Sequence, residues 1–175
     1  MYIVSFGTAD GVYDSYIERL GRSCDAVGLR HDLEIIPAAT RRVACLQKPD
    51  FILRKLRQHQ QPVVWLDADA IVAKSFSLPE TGWDIGLAPN TRWWRRGANP
   101  TSAFVVAVAP TEKGEQFIES WRYLCANAEL TAVLDHKRLT WTREMRKDMY
   151  TEINLHKFIP GTIIRDFGRK KQARI

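Results

Sequence analysis

Short apolar segments alternate with amphipathic ones along the first third of the chain, and this alternation limits the folds that the chain can adopt. Short runs of strand-forming residues occupy positions 2–6, 33–37 and 62–66. Between them, apolar residues recur at helical spacing over 12–27, and Pro49 with Asp50 predicts a second helix that ends near residue 59. Strand, helix, strand, helix, strand is typical of an α/β layer with a parallel sheet.

The rest of the chain continues this pattern with shorter elements. Apolar runs predict strands at 85–88 and 103–109, and Thr111 is suited to cap a helix that ends near residue 127. A further helix is predicted over 130–139, and one or two short strands within 152–166. We therefore expect an α/β fold with a mostly parallel central sheet flanked by helices.

The length of the chain favours one domain. At 175 residues it is long enough to bury a proper core and short for a two-domain enzyme, so a single domain is expected over 1–175. The first residues have no basic segment ahead of a long apolar run, and no stretch approaches the roughly 18 apolar residues of a membrane helix. These patterns predict a cytoplasmic protein with no membrane span, in the host cytoplasm if a phage encodes it.

The charge of the chain favours an anionic partner. Lys and Arg number 26 against 20 Asp and Glu, the net charge is +6 and the pI is about 9.4. Nucleotides, nucleic acids and anionic glycans all suit such a surface. Positive charge is concentrated in a C-terminal tail that starts near residue 167, with four basic residues over 169–174. A solvated tail with no partner is the alternative.

Two carboxylates follow the apolar strand at 62–66. Residues two apart in an extended segment point to the same side, so Asp67 and Asp69 can face one site while Ala68 faces the core. In open α/β sheets, ligands bind at the carboxyl ends of the strands. Hard divalent ions such as Mg²⁺ or Mn²⁺ take oxygen ligands and accept phosphate oxygens as well. The alternative is that Asp67 caps a turn and Asp69 is simply exposed.

The surroundings of these carboxylates carry a family resemblance. The order of Lys48, a helix, the apolar strand 63–66 and then Asp67-Ala68-Asp69 resembles the GT-A class of nucleotide-diphospho-sugar glycosyltransferases, in its glycogenin-like and bacterial galactosyltransferase-like branches. The resemblance covers residues 1–110 and continues more weakly to 166. It implies a single GT-A, Rossmann-like domain, a metal-dependent hexosyltransferase, and a nucleotide-sugar as donor, with UDP-sugar as the default.

The resemblance also implies which residues bind the nucleotide-sugar. The first strand and its loop would hold the base and ribose, and Lys48 and Asp67 would meet the diphosphate. For Ser5 and Phe6 ordinary strand packing is the alternative, and for Lys48 a solvated position ahead of a helix. The residues at the end of the first strand with this implied role are Ser5, Phe6, Gly7 and Thr8.

Metal-binding and catalytic roles follow in the same way. The resemblance implies Asp67, Asp69 and His156 as ligands of Mn²⁺ or Mg²⁺, and catalytic roles for Asp69 and Asp135. If the enzyme inverts the anomeric centre, Asp135 is the base that takes the proton of the acceptor hydroxyl. If it retains the configuration, Asp135 hydrogen-bonds the sugar. A surface position for His156 or Asp135 is the alternative.

The acceptor is predicted from an aromatic and basic loop between two strands. Aromatic rings interleaved with arginine suit sugar stacking, and they equally suit unstacked bases and a phosphate backbone. The acceptor is therefore expected to be a glycan, a small molecule or a hydroxymethylated base in phage-type DNA. The residues concerned are Trp93, Trp94, Arg95 and Arg96.

Two other classes of function compete with glycosyl transfer. One is a basic nucleic-acid-binding α/β module in which Asp67 and Asp69 are structural. The other is a metal-dependent nuclease, since two-metal sites also need paired carboxylates. Nucleases usually bring three or four acidic residues together, and here Glu80, Asp84 and Asp135 are the further acidic residues available. Lys48 and the His156 segment are explained only by the transferase interpretation.

Overall fold

A computed structural model of the chain describes residues 1–9, 11–89, 101–127, 135–159, 161 and 163–165. Within these ranges there are four α-helices, eight short strands and one 3₁₀ turn over Leu155–Lys157. The helices are α1 (Tyr13–Ala26), α2 (Arg41–His59), α3 (Glu112–Ala126) and α4 (Asp135–Arg146). The strands are β1 (Tyr2–Thr8), β2 (His31–Ile36), β3 (Val63–Leu66), β4 (Ala70–Val72), β5 (Ile85–Pro89), β6 (Thr101–Val108), β7 (Glu152–Asn154) and β8 (Ile163–Arg165).

Six of these strands form one central sheet in the order β2-β1-β3-β6-β5-β7. The pairings β1 with β2, β1 with β3 and β5 with β7 are parallel, whereas β6 runs antiparallel to both of its neighbours. One strand of six is therefore reversed, which confirms the predicted α/β fold with a mostly parallel sheet. The remaining strands, β4 and β8, pair antiparallel as a separate small sheet.

The core lies on both faces of the central sheet, as the alternation of side chains along β3 shows. Val63 and Trp65 point to a face covered by α2, α3 and α4, and Val64 and Leu66 point to the opposite face. That second face is covered by α1, by β4 and by the segment around Leu155. All four residues of β3 are buried, as expected for a central strand with helices on both sides.

The start of α2 differs from the prediction. A helix opening at Pro49 was expected, but α2 begins at Arg41, and Pro49 lies inside it. Thr40 is the actual cap, because its hydroxyl accepts a hydrogen bond from the Val43 backbone N–H at 3.4 Å. A proline cannot donate to the carbonyl four residues earlier, which is why a start at Pro49 was the simpler expectation. The consequence is that Lys48 lies within the helix and not ahead of it.

The later elements agree more closely with the sequence patterns. The Thr111 hydroxyl accepts from the Gly114 N–H at 3.0 Å and caps α3 as predicted. The strands predicted at 85–88 and 103–109 are β5 and β6. The helix predicted over 130–139 is α4 at Asp135–Arg146, and residues 128–134 lie outside the described part of the chain. No helix in the described ranges is long and apolar enough to span a bilayer.

Candidate active site

The candidate site lies where β3 ends. The Asp67 N–H donates to the Phe104 carbonyl at 3.0 Å, which extends the ladder between β3 and β6 by one bond. The Asp67 carbonyl then accepts from the Ala70 N–H at 2.9 Å and closes a turn that contains Asp69. Asp67 is two residues after Trp65, so its side chain is directed to the α2 side of the sheet. Ala68 is buried, as the sequence predicts.

A buried lysine connects Asp67 to a second carboxylate. The Lys48 Nζ lies 2.7 Å from Asp67 Oδ1 and 2.6 Å from Asp135 Oδ2. It also approaches the Ala103 carbonyl at 3.4 Å. Lys48 comes from the middle of α2, Asp67 from the end of β3 and Asp135 from the start of α4, so three elements meet at this ammonium. The alternative of a solvated Lys48 is wrong, because only 8% of its side chain is exposed.

The charges at this contact stabilise one another. Burial disfavours the charged form of Lys48, but Asp67 and Asp135 outweigh it and raise the pKa of the Lys48 ammonium above its usual range. Burial likewise works against ionised Asp135, but the Lys48 charge, with a hydrogen bond from His136, lowers the pKa of the Asp135 carboxyl well below its usual range. Lys48 and Asp135 are therefore both charged at neutral pH, and removing either one leaves the other buried without its partner.

The position of Asp135 depends on contacts between α3 and α4. The Asp135 backbone carbonyl accepts from the Trp121 indole N–H at 3.3 Å. One turn later Arg138, which is fully buried, donates to the Leu124 and Cys125 carbonyls at 2.5 and 2.8 Å. These carbonyls belong to the last turn of α3, where helix carbonyls lack partners within the helix. Arg138 thus anchors the start of α4, and this role was not anticipated from the sequence.

Trp65 is a second residue at the site that the sequence interpretation missed. Its indole N–H donates to Asp67 Oδ1 at 3.2 Å, the same oxygen that Lys48 contacts. The Lys48 ammonium also lies 5.7 Å from the centre of the Trp65 ring. A signal was present in the sequence, because residues 65 and 67 share a face of the strand and a buried indole needs an acceptor.

The predicted nucleotide-binding residues lie at the end of β1. The hydroxyl of Ser5, which is fully buried, donates to the Leu66 carbonyl at 2.6 Å, and Phe6 packs in the core. These two side chains have a packing role, and their contact with a nucleotide stays a prediction. A Cβ at Gly7 would lie 2.8 Å from Ile17 and 3.0 Å from the Tyr13 carbonyl, so glycine lets α1 lie close to β1. Thr8 is buried at the end of the strand.

The three predicted metal ligands are not assembled in one place. Asp67 and Asp69 lie on one turn, whereas His156 is exposed in the 3₁₀ turn after β7. The carboxyl ends of β3 and β7 lie at the same end of the sheet, but two strands separate them. The distance between β3 and β7 is therefore three strand spacings, on the order of 14 Å. In the part of the chain that the structure describes, no group of three His, Cys, Asp or Glu side chains could hold a metal ion.

The chemistry of the two aspartates nevertheless suits a hard cation. Asp67 and Asp69 offer carboxylate oxygens, the ligands that Mg²⁺ and Mn²⁺ prefer. Among the residues that the structure describes, Asp67 and Asp135 place two carboxylates against the Lys48 ammonium, an arrangement that suits a cation bridging to a diphosphate. The residues therefore fit a divalent ion that takes its other ligands from diphosphate oxygens.

Other predicted residues lie elsewhere or outside the described ranges. Asp84 precedes β5 at the opposite edge of the sheet, where its carboxylate accepts from the Thr111 hydroxyl and the Thr151 N–H, both at 2.7 Å. It is a structural residue and does not add a carboxylate to the site.

The basic tail from about 167 lies outside the described residues. So do the predicted acceptor-binding residues Trp93, Trp94, Arg95 and Arg96.

Comparison with solved structures shows what the fold resembles. A glycosyltransferase involved in the glycosylation of the major capsid of PBCV-1 matches with a TM-score of 0.65 and 14% identity, over 87% of this chain and 80% of that one. The fold is the GT-A glycosyltransferase fold. This GT-A fold also matches galactosyltransferase LgtC, solved with donor and acceptor sugar analogs, with a TM-score of 0.55 and 11% identity over 88% of this chain and 73% of LgtC.

A further match shows that this GT-A unit can be part of a larger protein. GlyE of Streptococcus pneumoniae TIGR4 matches with a TM-score of 0.56 and 16% identity, over 89% of this chain but only 45% of GlyE. The sequence itself has no significant match among protein-family models or curated proteins. At these identities the likeness is one of fold, and the activity has to be argued from the site.

Proposed function

We propose that this protein is a glycosyltransferase that moves a hexose from a nucleotide-diphospho-sugar, with UDP-sugar as the default donor, to an acceptor hydroxyl. The observation that carries the proposal is the contact of Lys48 with both Asp67 and Asp135 at the carboxyl end of β3 in a GT-A fold. In open α/β sheets this edge binds ligands. The proposal treats 1–175 as one GT-A domain with a basic tail, acting in the cytoplasm.

Each residue of the site has a place in this reaction. Asp67 and Asp69 would hold Mn²⁺ or Mg²⁺, which when bound supplies Lewis-acid stabilisation to the departing diphosphate. The end of β1, with Gly7 and Thr8, would bind the nucleoside. Lys48 would meet the diphosphate, whose oxygens accept from an ammonium, and the adjacent Asp135 would meet the hexose, whose hydroxyls can donate to a carboxylate.

The contact between Asp135 and Lys48 bears on whether the reaction retains or inverts the anomeric configuration of the sugar. A general base has to be within reach of the acceptor proton and needs a pKa near the working pH. Asp135 is buried and ion-paired with Lys48 at 2.6 Å, so it is a poor proton acceptor. We therefore assign Asp135 the role of hydrogen-bonding the sugar, which corresponds to retention of the anomeric configuration.

The acceptor is proposed from the sequence alone. A glycan, a small molecule or a hydroxymethylated DNA base would contact the loop of Trp93 to Arg96, which lies outside the described residues. His156 is proposed as a third metal ligand that would have to approach Asp67 and Asp69 when the nucleotide-sugar binds. The competing class of function is a basic nucleic-acid-binding module. The titration described next distinguishes it from a glycosyltransferase.

The test is calorimetric titration of UDP-sugars into the protein with Mn²⁺ and without metal. Binding that requires Mn²⁺ and is lost in an Asp67→Ala, Asp69→Ala double variant is the expected result. Asp148→Ala is the matched control, because Asp148 is an exposed aspartate in the turn after α4 and should leave binding unchanged. Tight binding to DNA with no response to any nucleotide-sugar would overturn the proposal.

A further inference from the structure

We propose that Trp65 is a positioning residue, whose indole N–H holds the Asp67 carboxylate in the orientation that a divalent cation needs. This inference rests on the proposed function, since it concerns the aspartate that would bind the metal. Trp65 itself is 1% exposed, so it is too deeply buried to contact a bound sugar or metal ion directly. Its effect on the reaction passes entirely through Asp67.

The first observation is the convergence of two hydrogen-bond donors on one oxygen. Asp67 Oδ1 lies 3.2 Å from the Trp65 indole nitrogen and 2.7 Å from the Lys48 ammonium nitrogen. These donors come from different elements, the strand β3 and the helix α2. Rotating the carboxylate would lengthen both contacts, so the pair selects one orientation of the Asp67 side chain.

The second observation is that the indole itself cannot move easily. The Trp65 ring packs against Phe6 and Phe51, with centroid distances of 5.2 and 5.9 Å. Phe6 and Phe51 contact each other at 5.1 Å, so the three rings form a closed cluster. Because both rings restrict the indole, its N–H points in a fixed direction. A fixed donor of this kind can hold the Asp67 carboxylate in place before a metal ion binds.

The choice of residue type supports the same conclusion. A buried position on the α2 face of β3 needs only an apolar side chain, and leucine or phenylalanine would meet that need. Tryptophan adds one polar group that must find an acceptor when buried. Here the acceptor is the side chain of Asp67. Groups that orient a metal ligand in this manner typically change metal affinity by roughly 10- to 100-fold when removed.

The experiment compares two tryptophan variants. Trp65→Phe keeps an aromatic ring in the cluster and removes the N–H that Asp67 accepts. Trp83→Phe removes the same atoms from another buried tryptophan, whose N–H donates to the Pro79 carbonyl at 2.7 Å and which lies in the core on the other face of the sheet. Binding of Mn²⁺ is measured by calorimetry with the metal alone and in the presence of UDP.

We expect Mn²⁺ affinity to fall by about 10-fold or more in Trp65→Phe and to be unchanged in Trp83→Phe. Thermal unfolding should shift to a similar extent in both variants, because both lose the same buried atoms. Equal Mn²⁺ affinity in the wild-type protein and Trp65→Phe would overturn the inference and leave the proposed function intact. Absence of Mn²⁺ binding to the wild-type protein, with and without UDP, would instead overturn the metal-dependent function and the inference with it.

A second measurement requires no change at Trp65. The indole N–H resonance of Trp65 in a ¹⁵N-labelled protein reports its hydrogen bond to Asp67. Asp67→Asn replaces the charged acceptor by a neutral one, and we expect that resonance to move while the Trp83 indole resonance stays in place. An unmoved Trp65 resonance would contradict the inference even if Trp65→Phe did not fold.

Discussion

The Asp135 carboxylate lies 2.6 Å from the Lys48 ammonium, which brings the first residue of α4 against the middle of α2. Because Lys48 also contacts Asp67, the same ammonium links both helices to the end of β3. This arrangement is the centre of the proposed active site and a buried part of the fold. Stability and function are therefore expected to respond together when it is changed.

Replacing Lys48 is expected to destabilise the fold. Lys48→Met leaves the buried Asp135 and the partly buried Asp67 without their partner, which should cost about 3–5 kcal/mol in the free energy of unfolding. Urea denaturation measures this difference. Lys113→Met, at an exposed position in the first turn of α3, is the control and should have little effect. A second change, Asp135→Asn, should restore part of the loss in Lys48→Met, and a purely additive result would contradict the coupling.

The configuration of the product tests the role of Asp135. With an α-linked nucleotide-sugar we expect an α-linked product, because the ion-paired Asp135 is suited to hydrogen-bonding the sugar and not to accepting a proton. Proton NMR of the anomeric signal distinguishes the two configurations in the first turnovers. A β-linked product would require a base at the site and would contradict the assigned role.

The ion pairs that join Glu34 of β2 to α2 predict an acid-sensitive contribution to stability. Hydrogen bonds from Arg54, assisted by Lys55, lower the pKa of Glu34 from 4.5 to about 2, against the opposing effect of burial. The unfolded chain thus binds a proton at higher pH than the folded one, so this contribution is complete above about pH 4.5 and declines as the pH falls towards 2. Glu34→Gln should flatten the dependence of the urea midpoint on pH in that window. Glu144→Gln, at an exposed position of α4, should not.

The three cysteines are expected to differ in reactivity. Burial raises the pKa of the Cys24 and Cys125 thiols to about 12, and both side chains are buried. Cys45 is partly exposed and lies on α2 one turn before Lys48. A thiol reagent at pH 8 should therefore modify Cys45 first in the folded protein and all three thiols in urea. Peptide mapping identifies the site, and bound nucleotide-sugar should slow the modification.

Two glycines near α1 test the close packing of that helix on β1. Gly7→Ala would force a Cβ to within 2.8 Å of Ile17, and we expect a loss of about 1–3 kcal/mol. In Gly21→Ala the nearest atom, from Leu33, is 3.4 Å away, and alanine is the better helix former. This second variant should be neutral or more stable by thermal unfolding. A Gly7→Ala variant as stable as the wild-type protein would show that packing does not require glycine at that position.

Much of this arrangement could be predicted from local patterns. The apolar runs at β1, β3, β5 and β6 and the cap at Thr111 are properties of short segments, and the structure confirms them. The extent of α2 could not be predicted in this way. Its start at Arg41 follows from the Thr40 cap and from the packing of the half-buried Ala44 and Leu46 against the core, which together outweigh the missing hydrogen bond at Pro49.

Local sequence patterns predict that Asp67 and Asp69 follow a buried strand at the carboxyl end of the sheet, because strand period and chain direction are properties of short segments. By contrast, the contacts of Lys48 with Asp67 and Asp135, and the hydrogen bond from Trp65 to Asp67, are visible only in the folded chain. These contacts connect residues on separate elements, and buried charges pair with whichever partners the packed helices bring within reach. No local pattern encodes that proximity, since it is set by the burial of the whole apolar core.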